Sequence, residues 1–195
     1  MEAGDGQSGR VEIQRFVPDE PLPPYSYVTG RFPHPTHDPA GHSFGLVPVP
    51  CSVPDPNRWR DCQAYLYGVD LFNHGYYWEA HEVWERVWHA CGRGGPAGNF
   101  IKALIKLAAA GVKAREGRPE GVRRHAQRAA ELFRETLCRL PSGQDCYFGL
   151  PLQQLVSLAN DVGRVPSRAP TAAPVEVVFP FVLCPEGSSR CESDA

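Results

Sequence analysis

The sequence lacks the segments and motifs that define several protein classes. Its seven cysteines form no C-x-x-C pair, and it has no Gly-rich phosphate loop, no dinucleotide fingerprint and no G-x-S-x-G motif. The N-terminal segment MEAGDGQSGR is not apolar, so no signal peptide is expected and the cytoplasm is the simplest compartment. The longest nearly apolar stretch, 177–184, is far shorter than the ~20 residues that a membrane-spanning helix needs. We therefore expect a cytoplasmic protein without a membrane segment.

Prolines are abundant but unevenly distributed. Of the 20 prolines, 11 lie in residues 1–57, and only Pro96 and Pro119 lie in residues 58–140. Because proline fixes φ and removes a hydrogen-bond donor, this distribution predicts one compact domain between two extended arms. The predicted organisation is a disordered N-terminus over 1–15, a Pro-rich strap packed on the core over 16–56, a helical domain over 57–163, and a linker with an apolar C-terminal tail over 164–195.

Apolar residues of the central domain recur at three- and four-residue steps, which is typical of amphipathic helices. A first helix is predicted to start after Asp55 and to stop at the Asn73-His74-Gly75 segment, where glycine can take the left-handed conformation. The third helix is apolar around most of its circumference, which is typical of the central helix of a bundle. Further helices are predicted over 77–91, 99–115, 119–140 and 152–162. The predicted fold class is all-α, a small helical bundle of four to five helices with Pro-rich extended N- and C-terminal arms.

The segment 71–85, LFNHGYYWEAHEVWE, is the richest in chemistry. His81 and Glu85 are four residues apart, and Glu82 is three residues from both Glu79 and Glu85, so a helix brings these side chains together. A histidine with two carboxylates can bind a divalent metal or act as a general base with an orienting acid. The spacing matches neither the H-E-x-x-H zinc motif nor the Glu-x-x-His motif of di-iron bundles.

The core of this segment, Glu-Ala-His-Glu-Val-Trp-Glu, resembles the signature of a small bacterial and archaeal family, domain of unknown function family 309. The resemblance covers about residues 60–137 and implies an all-helical bundle, but it implies no activity. Where the family tends to have glutamine or histidine on its third helix, this sequence has Lys102, Lys106 and Lys113. This difference weakens, for this chain, any interpretation of the family's site as a metal site. The polar face of the second helix could equally be solvated or paired with these lysines.

The strap contains a second cluster in the segment PHPTHDPAGH, 33–42. His34, His37, Asp38 and His42 lie within nine residues on a loop bounded by prolines, and they are ligand types for zinc or another transition metal. The alternative is a turn-rich loop in which these side chains bond backbone groups.

The charge distribution indicates whether nucleic acid is an expected partner. The formal net charge is −2, although residues 99–140 hold ten basic residues against four acidic ones. Without exposed aromatic residues between these charges or a known module, nucleic acid is not an expected partner.

Two functional hypotheses follow. In the first, the domain binds a small ligand or a protein partner in a polar pocket covered by the strap. Its ligand-binding residues would be Glu79, Glu85, Trp84, Lys102 and Lys106, around His81 and Glu82. In the second, the protein is a metal-dependent enzyme of the hydrolase type, with His81 or Glu82 as the catalytic base. The strap loop would then supply the metal ligands His34, His37, Asp38 and His42. The sequence leaves open whether a divalent transition metal binds, whether the protein is an enzyme and whether it forms an oligomer.

Overall fold

The computed structural model describes residues 13–164, 169–170 and 172–186. These residues form a 3-10 helix, five α-helices and one two-stranded antiparallel sheet, which confirms the all-α fold class. The elements are the 3-10 helix Pro56–Asp61, α1 (Gln63–Asn73), α2 (Tyr77–Ala90), α3 (Gly95–Arg115), α4 (Pro119–Leu137), β1 (Cys146–Tyr147), β2 (Leu150–Pro151) and α5 (Leu152–Val162). Within the described ranges, no helix is both long and apolar enough to cross a bilayer. The predicted disorder over 1–15 and the chain end beyond 186 lie almost entirely outside the described residues.

The helix α3 is the centre of the bundle. It packs between α2 and α4, while α1 lies on α2 and α5 lies on α4. Phe100, Leu104 and Leu107 of α3 are fully buried, as the apolar circumference of this helix predicts. The core therefore lies around α3, and the site-bearing helix α2 rests directly on it.

The start of the first helix differs from the prediction. Residues 56–61 form a 3-10 helix that contains a non-helical residue, Arg58 at φ −120° and ψ 34°, and α1 begins only at Gln63. Trp59 is buried in the core, and its indole lies against Gly149, where a Cβ would come within 2.6 Å of the ring. Trp59 thus enters the core from the 3-10 segment.

Helices α1 and α2 approach each other closely at Gly68. A Cβ on Gly68 would lie 2.2 Å from the Trp84 Nε1 atom, so only glycine fits here without displacing the indole. The Trp84 Nε1–H group donates a hydrogen bond to the Tyr65 carbonyl across 3.1 Å. This contact fixes the rotation of α2 relative to α1 and therefore decides which side chains α2 presents to the outside.

Buried carboxylates of α1 and α2 hold the N-terminal arm. Asp70 is fully buried and accepts hydrogen bonds from the backbone N–H groups of Phe16 and Val17, each across 2.8 Å. Glu79 accepts from the Tyr27 N–H, also across 2.8 Å. Because these bonds join charged acceptors to backbone donors, they are of the stronger kind. The segment 16–27 therefore lies on the helices in an extended, bonded conformation.

The C-terminal arm is held in a similar way. The Asn73 amide donates to the Leu183 carbonyl and accepts from the Leu183 N–H. The Tyr77 hydroxyl accepts from the Val178 N–H across 3.0 Å. The ring of Phe179 packs on the rings of Phe72 and Tyr77. The apolar tail thus docks as an extended segment rather than as a strand.

The two arms meet at Arg115, the last residue of α3. Its buried guanidinium donates to the Ser26 carbonyl of the N-terminal arm and to the Ala173 and Pro174 carbonyls of the C-terminal arm. The Ser26 N–H also donates to the Pro174 carbonyl across 2.9 Å. One side chain therefore ties both arms to the bundle.

Candidate functional site

The side chains of the 79–85 motif point in three directions from α2. Trp84 is fully buried in the core, and Glu79 is buried under the N-terminal arm. His81, Glu82 and Glu85 lie partly exposed on the outer surface. The polar residues that the sequence places on one face of this helix therefore differ in exposure. The Glu79 carboxylate is buried, whereas those of Glu82 and Glu85 are accessible.

His81, Glu82 and Glu85 form the one group of three metal-ligating side chains found among the described residues, with their ligand atoms within 4.8 Å of one another. His81 Nδ1 lies 3.3 Å from Glu82 Oε1, and His81 Nε2 lies 3.8 Å from Glu85 Oε1. The structure thus brings together the three residues that the helical spacing predicts to be neighbours. It also places the carboxylates on either side of the imidazole, one at each ring nitrogen.

An open groove runs between α2 and the arm segment 48–51. Its volume is about 420 Å³. The wall on the arm is apolar, and the wall on α2 carries charged and polar groups. The lining residues are Pro48, Val49, Pro50, Cys51, Glu82, Glu85, Arg86, His89 and Ala90. The volume of this open groove lies in the range of small-molecule sites.

Arg86 is available to a ligand in this groove. It stands four residues after Glu82, a spacing at which helical ion pairs form. Within the described part of the chain, however, Arg86 makes no hydrogen bond and no ion pair, and the ion-pair contacts of Glu82 and Glu85 are with His81 alone. The groove wall therefore offers the guanidinium of Arg86 beside two carboxylates that contact His81.

The Cys51 thiol of the groove has a raised pKa. Burial and the neighbouring Cys62 thiol raise the pKa of Cys51 to about 11, and the charge of Arg86 opposes this rise only in part. The thiol therefore stays protonated, and a protonated thiol is a weak nucleophile and a weak metal ligand.

The histidine loop of the arm covers Glu79 rather than His81. His42 Nε2 lies 3.3 Å from Glu79 Oε1, and both side chains are more than nine-tenths buried. The charge of Glu79 also contributes, after burial, to raising the pKa of Tyr76. The loop and α2 thus share a buried polar contact one helical turn away from the exposed cluster.

The other polar residues of the loop bond to each other and to the backbone. His34 Nδ1 lies 3.3 Å from the backbone nitrogens of both Thr36 and His37, and the His34 and His37 rings pack at 4.3 Å. The Asp38 carboxylate accepts from the Ala40 N–H. These contacts are those of a turn-rich loop, and metal binding by His34, His37, Asp38 and His42 stays a prediction.

The lysines of α3 do not pair with the carboxylates of α2 within the described ranges. The Lys102 ammonium lies over the Trp88 ring, 5.2 Å from its centroid. Lys106 lies near His125 of α4, where burial and then the charge of Lys106 lower the pKa of His125 to about 4. Lys102 and Lys106 therefore face aromatic and imidazole groups instead of the glutamates of α2, and Lys113 pairs with Glu116 at the end of α3.

Sequence reasoning missed the residues that anchor the arms, namely Asp70, Asn73, Tyr77 and Arg115. A signal existed for Asp70 and Asn73, because each interrupts or adjoins the apolar stripe of the first helix. A polar residue on a buried helix face needs a partner, and here the partners are arm backbone groups. Arg86, His89 and the arm wall 48–51 of the groove were also missed, since nothing in their spacing links them.

Two comparisons with known proteins bear on this site. No curated protein matches the chain. A family model described as domain of unknown function (DUF309) matches residues 65–125, from α1 to the first turns of α4. The match includes the 79–85 motif and leaves out both arms and α5. It confirms the resemblance read from the sequence over residues 65–125, and the description of the family gives no activity.

Proposed function

We propose that this protein is a ligand-binding domain and that its site is the groove between α2 and residues 48–51. The observation that carries the proposal is the lining, which combines an apolar wall with the guanidinium of Arg86 and the carboxylates of Glu82 and Glu85 on α2. A groove of about 420 Å³ suits a molecule the size of an amino acid or a dipeptide.

The charges define the class of ligand. Glu82 and Glu85 favour an ammonium group, and Arg86 favours a carboxylate, which a guanidinium binds with two parallel hydrogen bonds. Val49, Pro48 and Pro50 favour an aliphatic part between them. The ligand is therefore a small zwitterion with an apolar side chain.

The test uses three probes with a similar apolar part that differ in which charged groups they carry. Leucine carries both groups, isoamylamine carries only the ammonium, and 4-methylpentanoate carries only the carboxylate. Binding is followed by amide chemical-shift changes in the full chain, and leucine should bind most tightly. Saturable shifts at residues of α2 and 48–51 would support the groove, whereas no saturable shift with any probe would refute the proposal.

Variants test whether Arg86 binds the carboxylate of the ligand. Arg86→Gln should weaken leucine binding by about 10- to 100-fold, since a hydrogen bond to a charged group contributes about 1.5–3 kcal/mol. It should leave isoamylamine binding unchanged. Arg124→Gln on α4 is the matched control and should alter neither. Equal loss with Arg86→Gln and Arg124→Gln would show that the binding is non-specific.

A divalent cation at His81, Glu82 and Glu85 is the competing outcome of this test. Titration with Zn²⁺ in place of leucine distinguishes the two. Stoichiometric Zn²⁺ binding that His81→Ala abolishes, without any leucine binding, would overturn the zwitterion proposal.

A further inference from the structure

A chain of polar contacts links Ser43, His42 and Glu79 about one helical turn of α2 before the groove residue Glu82. Ser43 Oγ lies 2.9 Å from His42 Nδ1, and His42 Nε2 lies 3.3 Å from Glu79 Oε1. A hydroxyl, an imidazole and a buried carboxylate in this order are the three parts of an activated serine nucleophile. The groove proposed above uses none of these residues.

The two contacts of His42 require one tautomer. Glu79 has only acceptor oxygens when ionised, so His42 Nε2 must carry the proton that it shares with Oε1. His42 Nδ1 is then the unprotonated nitrogen, and it accepts the hydrogen bond of the Ser43 hydroxyl. The ring nitrogen that faces the serine is therefore the one able to take its proton.

The surroundings hold the imidazole in this orientation. The His42 ring packs edge-on against Tyr25 at 4.8 Å, and the Tyr25 hydroxyl lies within hydrogen-bond range of the His42 N–H. The Tyr27 N–H donates a hydrogen bond to Glu79 Oε1, which is also the oxygen that contacts His42 Nε2. A site held by packing and by outer hydrogen bonds needs little rearrangement for reaction.

The backbone of the loop is tight at this point. A Cβ on Gly41 would lie 2.2 Å from the His34 carbonyl oxygen, so the loop crosses itself where only glycine fits. The Ser43 N–H donates to the Pro35 carbonyl across 3.0 Å. Ser43 is thus held at a fixed position in a rigid turn.

We propose that Ser43 is a nucleophile for carboxylic esters, with His42 as its general base and Glu79 as the residue that positions His42. The acyl part of the substrate is apolar, because the residues that follow the nucleophile are exposed apolar side chains. Phe44 is 49% exposed, Leu46 69% and Val47 88%.

The reaction is a two-step hydrolysis. Ser43 Oγ attacks the ester carbonyl carbon while its proton moves to His42 Nδ1, and His42 then gives that proton to the departing alkoxide, which leaves as the alcohol. A water molecule attacks the acyl-Ser43 ester, again losing a proton to His42 Nδ1. That proton returns to Ser43 Oγ as the acid leaves. The sum is ester plus water giving acid plus alcohol, and no other reactant is needed.

The experiment measures hydrolysis of p-nitrophenyl butyrate by the full-length protein and labelling by a fluorophosphonate, with mass spectrometry to locate the label. The unmodified chain should hydrolyse the ester faster than buffer and carry the label on Ser43. Ser43→Ala should abolish both, and Ser157→Ala on the exposed face of α5 is the matched control that should change neither. His42→Asn should lower kcat by about 100-fold or more, which is the size of general-base effects.

Glu79 needs a readout that a purely structural role would not change. Glu79→Gln retains an oxygen for the Tyr27 N–H, so it should lower kcat while leaving KM unchanged and the thermal unfolding midpoint close to that of the unmodified chain. Hydrolysis no faster than buffer, or hydrolysis and labelling that persist in Ser43→Ala, would overturn the proposal. Leucine binding in the groove should be unaffected by Ser43→Ala, so the two proposals fail or hold separately.

Discussion

Replacing Asp70 by alanine tests whether buried carboxylates hold the N-terminal arm. Asp70 is fully buried and accepts two backbone hydrogen bonds at 2.8 Å, one on each carboxylate oxygen. Hydrogen bonds to charged groups contribute about 1.5–3 kcal/mol each, so two of them set an upper range of about 3–6 kcal/mol. Because residues 13–17 can detach and hydrate their N–H groups, we expect Asp70→Ala to lower the free energy of unfolding by about 2–4 kcal/mol.

Urea denaturation gives this free energy, and amide hydrogen exchange at Phe16 and Val17 reports the arm directly. Both amides should lose protection in the Asp70→Ala variant. The control is Asp61→Ala, which removes an exposed carboxylate paired with the exposed Arg58 and should change stability by less than about 0.5 kcal/mol. Unchanged exchange at Phe16 and Val17, together with a stability loss no larger than that of the control, would refute the anchoring role.

Three further predictions concern the core and the pH dependence. Leu104→Ala, at a fully buried position, should cost about 2–5 kcal/mol, whereas Arg124→Ala on the outer face of α4 should stay within about 0.5 kcal/mol in the same urea experiment. Gly68→Ala should destabilise by about 1–3 kcal/mol in thermal unfolding despite the better helix propensity of alanine, because the added methyl meets the Trp84 indole; a stabilised variant would contradict the close approach. The pKa of His125 is about 4 in the folded chain against an ordinary value of 6.5, so the unfolded chain binds more protons between these values. The contribution of His125 to the free energy of unfolding should therefore be fully present above pH 6.5. It should fall by about 1–2 kcal/mol towards pH 4, after allowance for solvent screening of this half-buried group. His125→Gln should remove this part of the pH dependence of stability.

The helices could be predicted from the sequence because their signals are local. The apolar periodicity defines α2, α3 and α5 to within a few residues, and α5 has the predicted bounds 152–162. The fourth helix ends at Leu137 rather than at 140, and the first α-helix begins at Gln63 because residues 56–61 form a 3-10 helix with a non-helical residue, Arg58. These differences lie at helix ends, which are the part of a helix that local patterns define least sharply.

The candidate site could be predicted only where its residues lie on one helix. His81, Glu82 and Glu85 are neighbours through helical spacing, and the structure brings them together. The groove joins α2 to an arm segment more than 30 residues away in the chain, and no periodicity encodes that contact. Glu79 shows the same limit, since its spacing places it with the exposed carboxylates while the arm covers it.

The junction at Arg115 has a consequence for the order of events during synthesis. Its guanidinium bonds carbonyls at residues 26, 173 and 174, and the Ser26 N–H bonds Pro174. A ribosome makes residue 26 long before residue 174, so the N-terminal arm emerges before the C-terminal arm that it contacts at Ser26. Contacts of such long sequence separation form late because a large loop must close first. Asp70 and Glu79 can hold the N-terminal arm while the chain is still being made, but the junction at Arg115 is completed only after residues 173 and 174 have been made.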